Sequence, residues 1–167
     1  RGGSASEQLN VISMLGLRSW FRDLFKDTRN GLKLGGFDPY SNEYILSSVN
    51  DAGAARSSTD YTLSYSPGVE GWPSFYSFIP EHMIGMNSYF YSFDGGNLYR
   101  HNTNETRNNF YGVQYTSKIT AVVNDAPSEV KVFKTIALES NSPWDATITS
   151  DLSSGYIDST WFSLKDG

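Results

Sequence analysis

A mainly β fold built from antiparallel strands and hairpins, with a short helical region at the N-terminal side, is what this 167-residue sequence predicts. Three observations predict it. From Leu34 onward, short runs rich in Tyr, Phe, Val, Ile and Thr alternate with Gly, Pro, Asn, Asp and Ser clusters, and no helix-length spacer separates them. Asp94-Gly95-Gly96-Asn97 stands between two aromatic runs, which is the chemistry of a tight hairpin turn. At 15% aromatic and only 19% charged, the chain carries too much ring surface to stay unfolded.

The elements follow in order. Arg1 to Ala5 (1-5) read as a linker or remnant, and residues 6-33 as an N-terminal helical segment, because Leu9, Ile12 and Leu15, then Leu17, Trp20, Phe21, Leu24 and Phe25, recur at three- and four-residue steps. Gly16 divides that segment, Ser6 and Ser19 are candidate caps, and Asn30-Gly31 is a stop signal after a helix over Ser19 to Thr28. Such a helix turns Trp20, Phe21, Leu24 and Phe25 to the sheet and leaves Arg18, Arg22, Asp23 and Lys26 to solvent or a neighbour.

The rest, 34-167, is expected to form an antiparallel β domain, incomplete at its C-terminal end. Strands are expected over Glu43 to Ser47, Tyr61 to Ser66, Phe75 to Ile79, Tyr89 to Phe93, Leu98 to His101, Val113 to Val123, Glu129 to Glu139, Ala146 to Thr149 and Thr160 to Leu164. Residues 50 to 60 form a small-residue loop, residues 80 to 88 a connector, and Asn102 to Asn109 a surface loop. Asp38, Pro39 and Asn42 set one turn, and Asp94, Gly95, Gly96 and Asn97 set another. Both combine a Phe-Asp pair with a later Asn, 56 residues apart, a spacing near that of a propeller blade. Lys165-Asp166-Gly167 opens a turn with no strand to return, so the chain reads as a piece of a longer protein or as one whose last strand pairs with another subunit.

Composition excludes several classes. With no Cys there is no disulfide framework, thiol nucleophile or thiolate metal site. His82 and His101, the only histidines, are too few for a His-built metal site, and the net charge of −5 with scattered Lys and Arg argues against nucleic-acid readout through a basic face. No apolar run approaches the ~18 residues of a membrane helix. Glu70, Glu81 and Asp94 near Trp72 could be drawn as a glycosidase pair, but their spacing supports turns and rims instead. Asp38, Asn42, Asp94 and Asn97 could ligate calcium, yet Asp-Pro and Asp-Gly-Gly-Asn need these side chains for their own turns. No catalytic, metal or cofactor site is therefore assigned. Trp72, Tyr76, Asn104 and Arg107 are the candidates for contact with a glycan or a protein partner.

Four blocks then carry a resemblance. They are Gly35 to Ser47 (Gly-Gly-Phe-Asp-Pro-Tyr-Ser-Asn-Glu-Tyr-Ile-Leu-Ser), Gly71 to Glu81 (Gly-Trp-Pro-Ser-Phe-Tyr-Ser-Phe-Ile-Pro-Glu), Tyr89 to Asn102, and Asn108 to Tyr115 with its continuation to Glu139. In order and spacing they resemble large tail-associated virion proteins of tailed bacteriophages, in particular the crAss-like phages. The resemblance implies a non-enzymatic structural segment of a tail, neck or muzzle, made in the host cytoplasm and housed in the virion. Its implied partners are other virion proteins and further copies of itself in a homo-oligomeric ring. The loop over residues 50 to 60 and Pro73 depart from the family pattern. The alternative is a carbohydrate-binding module for host-surface glycans, with Trp72 and Tyr76 as stacking platforms. The absence of Cys suits a reducing cytoplasm.

Overall fold

The computed structural model of the protein describes residues 11–27, 31–50 and 57–163. The expected linker, the cap at Ser6, the stop at Asn30, most of the small-residue loop and the closing Asp166-Gly167 turn lie outside them. The chain divides into two units, residues 1–119 and 120–167.

In the first unit a 3-10 turn, Ile12–Met14, precedes helix α1, Arg18–Asp27. Gly16 between them has φ +87°, a conformation that an L side chain resists, so the helical pattern breaks there. Strands β1 (Leu32–Asp38), β2 (Glu43–Val49), β3 (Tyr61–Ser66) and β4 (Gly71–Tyr76) form one antiparallel sheet in that order. Strands β5 (His82–Met86), β6 (Tyr89–Asp94) and β7 (Asn97–Arg100) form a second. Two short strands, β8 (Asn109–Phe110) and β9 (Val113–Gln114), make a small hairpin.

Period-two alternation sends the two faces of the first sheet to different neighbours. On one face, Tyr61, Tyr65, Trp72 and Phe75 meet the helix: Trp20 lies 5.2 Å from Tyr61 and 5.4 Å from Phe75, and Phe21 4.8 Å from Trp72, between ring centroids. Arg18, Arg22, Asp23 and Lys26 are on the exposed side, with Arg22 paired to Asp23 at 2.9 Å. On the other face, Ile45 joins Phe78, Met83 and Phe90 in a buried cluster that binds the two sheets together, with Leu34, Tyr76, Phe110 and Tyr111 packed around it. Because both faces are covered, Thr62, Leu63 and Ser64 of β3 are all buried. Of the buried hydroxyls, that of Thr62 donates across the strands to Ser47 at 3.0 Å.

The two hairpins that share composition do not share geometry. Asp94 pairs with Asn97 around Gly95 and Gly96 at φ +58° and +75°, the two-residue turn that positive φ at both positions permits. Asp38 pairs with Glu43 around a four-residue loop instead. There the buried Asp38 carboxylate accepts from the Tyr40 amide (2.9 Å), the Ser41 hydroxyl (2.9 Å) and the Asn102 side-chain amide (3.1 Å). Composition suggested a repeat, and the different loop lengths remove it.

In the second unit, β10 (Ala146–Thr149) and β11 (Ser154–Ile157) form a hairpin closed by Ser150, whose hydroxyl accepts from the Ser153 amide at 3.1 Å. The strands expected over 113 to 123 and 129 to 139 are corrected: beyond Gln114, no residue up to Glu139 is in a strand. The residue types favour β-structure, but a strand exists only when another pairs with it, and no described part of this chain does. The strand expected over 160 to 164 is also corrected. Ser159–Trp161 is a 3-10 turn, because the Asp158 carboxylate accepts from the Thr160 amide (2.9 Å) and hydroxyl (2.7 Å), bonds that hold that carboxyl below its usual pKa.

Candidate functional site

The cleft of interest is in the first unit, between the end of β7, the asparagine loop and the β8–β9 hairpin. Its position follows from local structure. The His101 amide donates to the Phe90 carbonyl at 2.9 Å and extends the β6–β7 pairing by one step. Asn102 then turns at φ +58° and is pinned by its bond to Asp38, so the first hairpin loop fixes where the asparagine loop starts. Within that loop the Thr106 amide donates to Asn104 Oδ1 at 2.8 Å, and Gln114 Nε2 of β9 donates to the Arg107 carbonyl at 2.8 Å. Tyr111 and Gly112, at φ +55° and +78°, close the β8–β9 turn. The result has an aromatic floor of Tyr76, Phe110 and Tyr111 and a rim of amides and the exposed Arg107.

Under that floor is a polar cluster that the sequence reading did not anticipate. Ser92 Oγ stands 2.6 Å from His101 Nε2 and 2.8 Å from the Tyr111 hydroxyl. Ser92 is fully buried, and its hydroxyl is satisfied by these two partners. The His101 ring is 4.8 Å from Phe78 and 5.0 Å from Phe90, and this burial lowers its pKa below the ordinary histidine value, with Asp38 pulling weakly the other way. Because the folded state resists the proton, the stability this neutral imidazole contributes is complete above the unfolded pKa of about 6.5 and is lost as pH falls below it. Melting followed between pH 8 and pH 5.5 should therefore show a drop that His101→Gln removes; equal slopes would reject it. Burial, with Glu43 beside it, likewise pushes the Tyr76 phenol up.

Of the contact residues expected from the sequence, Tyr76, Asn104 and Arg107 all line this cleft. Trp72 does not. Its indole packs on Phe21 and Tyr65, and Nε1 donates to the Ile12 carbonyl at 3.1 Å, so its role is to seat the N-terminal segment on the sheet. Glu81 sits at the Gly95–Gly96 turn, 3.4 Å from the Gly96 amide, and Glu70 is in the turn between β3 and β4 at φ +49°. These acids thus serve different turns. Among the described residues no cluster of three His, Asp or Glu could hold a metal, and no helix is long and apolar enough to cross a membrane. Sequence could have flagged Ser92: it alternates with Phe90 along β6, a polar residue on an inward face.

The described chain is mainly β, eleven strands in antiparallel sheets with one short α-helix. Residues 105–166 match the family described as the Crassvirus muzzle protein C-terminal domain. The match takes in somewhat over a third of the chain, from within the asparagine loop through the second unit, and supports a likeness of that part to a crAss-like phage muzzle-type structural protein. No curated protein and no solved structure matches the chain.

Proposed function

We propose that this chain is a non-catalytic assembly module of the phage muzzle, joined to copies of itself and to neighbouring virion proteins mainly through its second unit. One observation carries the reading. Every buried apolar residue of the described chain lies between Phe21 and Phe90, whereas Val122, Val130 and Leu152 of the second unit are 90%, 99% and 96% exposed. A unit without an apolar core of its own gains one only by association. The first unit is then the rigid body, and the second unit reaches partners. Hydrogen exchange on the free chain and on the chain in intact virions tests this. Amides over residues 116–139 should be slowed at least a hundredfold in the virion; unchanged exchange there would overturn the proposal.

The second reading is glycan contact at the cleft, favoured by the convergence of Tyr76, Asn104 and Arg107 on one site. An aromatic floor stacks on sugar rings while amides and a guanidinium meet hydroxyls. Glycan-array binding that Tyr76→Ala and Arg107→Ala each reduce at least tenfold would support it, and binding indifferent to both would remove it.

A further inference from the structure

The second unit contains a stretch, residues 129–139, whose composition asks for a strand and whose backbone has no ladder. Its sequence is Glu-Val-Lys-Val-Phe-Lys-Thr-Ile-Ala-Leu-Glu. Val132 is 78% exposed, and the groove beside the stretch is formed by Ile136 and Leu138 with Trp161 and Phe162 of the same unit. Exposed, unpaired β-formers next to a groove of mixed polar and apolar lining are a template for strand addition.

We propose that this stretch pairs antiparallel with the same stretch of a second copy of the chain, about a two-fold axis through Thr135. The inference rests on the assembly reading above and names its partner and register. The register follows from the sequence. With Thr135 at the centre, Lys131 stands opposite Glu139 at both ends, Val132 opposite Leu138, and Phe133 opposite Ala137. Shifting the axis by one residue to Lys134 sets that lysine against itself and Glu129 against Glu139. A parallel in-register pairing stacks every charge on its like. The residues at 131, 134 and 139 therefore select one arrangement. In it, Val132, Ile136 and Leu138 share a face, and Val132 of the second copy comes to the groove where Ile136 and Leu138 meet Trp161 and Phe162. In the single chain Lys131 Nζ turns back to Asn124 Oδ1 (3.0 Å) and the Ala126 carbonyl (2.7 Å), so pairing exchanges those exposed bonds for Glu139. The nine paired residues, 131 to 139, fall within the ordinary length of a strand.

The chain has no cysteine, which makes the register directly testable. In an antiparallel pair, residues opposite each other at the axis have Cα atoms ~4.5–5.5 Å apart, within the reach of a disulfide. Thr135→Cys in the full chain, under mild oxidation, should cross-link most of the protein to a covalent dimer, while Ser128→Cys in the neighbouring turn should cross-link at least tenfold less. Adding Glu139→Lys should reduce the Thr135→Cys cross-link severalfold, and adding Lys131→Glu to that variant should restore it. Equal cross-linking at 128 and 135, in a chain whose native mass is still oligomeric and whose 130–138 amides are protected, overturns this register and leaves the assembly reading standing. Free exchange over 116–139 in the virion overturns both.

Discussion

Phe90→Ala should lower the free energy of unfolding by about 3–5 kcal/mol, the range for emptying a buried aromatic site. Phe90 is 2% exposed and touches both halves of the core, packing in one cluster with Ile45, Phe78 and Met83 and lying 5.0 Å from the His101 ring. Gly36 of β1 comes so close that a Cβ there would be 3.1 Å from the Phe90 ring, so the cavity opens where the sheets are nearest and cannot be filled by either neighbour. Urea unfolding should show the midpoint falling with the slope unchanged, and Phe90→Leu should lose much less. A loss below about 1 kcal/mol for the alanine variant would mean that this ring does not hold the sheets together.

Gly85→Ala should be nearly as damaging, at about 3 kcal/mol, although it adds a single methyl group. The new Cβ would sit 2.2 Å from the Phe37 carbonyl oxygen and within 3.5 Å of Pro39. Both partners are held, the carbonyl as backbone of β1 and Pro39 as the start of the loop that Asp38 organises, so β5 and β1 must separate. Gly155→Ala is the internal control, because nothing lies within 4 Å of its Cβ position and its φ is not positive. Thermal melting should place Gly85→Ala many degrees below the parent and Gly155→Ala beside it. Coincident melting of the two variants would show that β1 and β5 are not in contact.

Much of the first unit was legible because its signals are local. Asp94-Gly95-Gly96-Asn97 forms the expected turn since two adjacent glycines supply positive φ without help from elsewhere. Trp20, Phe21, Leu24 and Phe25 form one helical face at helical spacing, and that face does meet the sheet. Strand β5 was read as a connector, because His82-Met83-Ile84-Gly85-Met86 carries a glycine where a strand ordinarily needs a side chain. Only the approach of the Phe37 backbone explains that glycine, and no local pattern contains it.

The candidate site divides the same way. The asparagine loop and its Asn104 turn could be read from residue types, whereas the Ser92, His101 and Tyr111 cluster joins three segments that nothing in their spacing connects. Asp38 accepts from the Tyr40 amide within its own loop, yet its bond to Asn102, which sets the mouth of the cleft, spans 64 positions.

By itself, then, the sequence determined the β-rich class, the hairpin turn at Gly95 and Gly96, the amphipathic helix, the absence of thiol chemistry and the resemblance to phage tail proteins. These depend on composition, on backbone freedom and on the order of neighbouring residues. Tertiary structure alone decided that Trp72 seats the N-terminal segment, that His101 packs against Phe78 and Phe90 with its pKa lowered, and that residues 129–139 remain unpaired within the described chain. Propensity allows a strand, but its hydrogen bonds are made by another strand, and whether one is present depends on how distant segments are brought together.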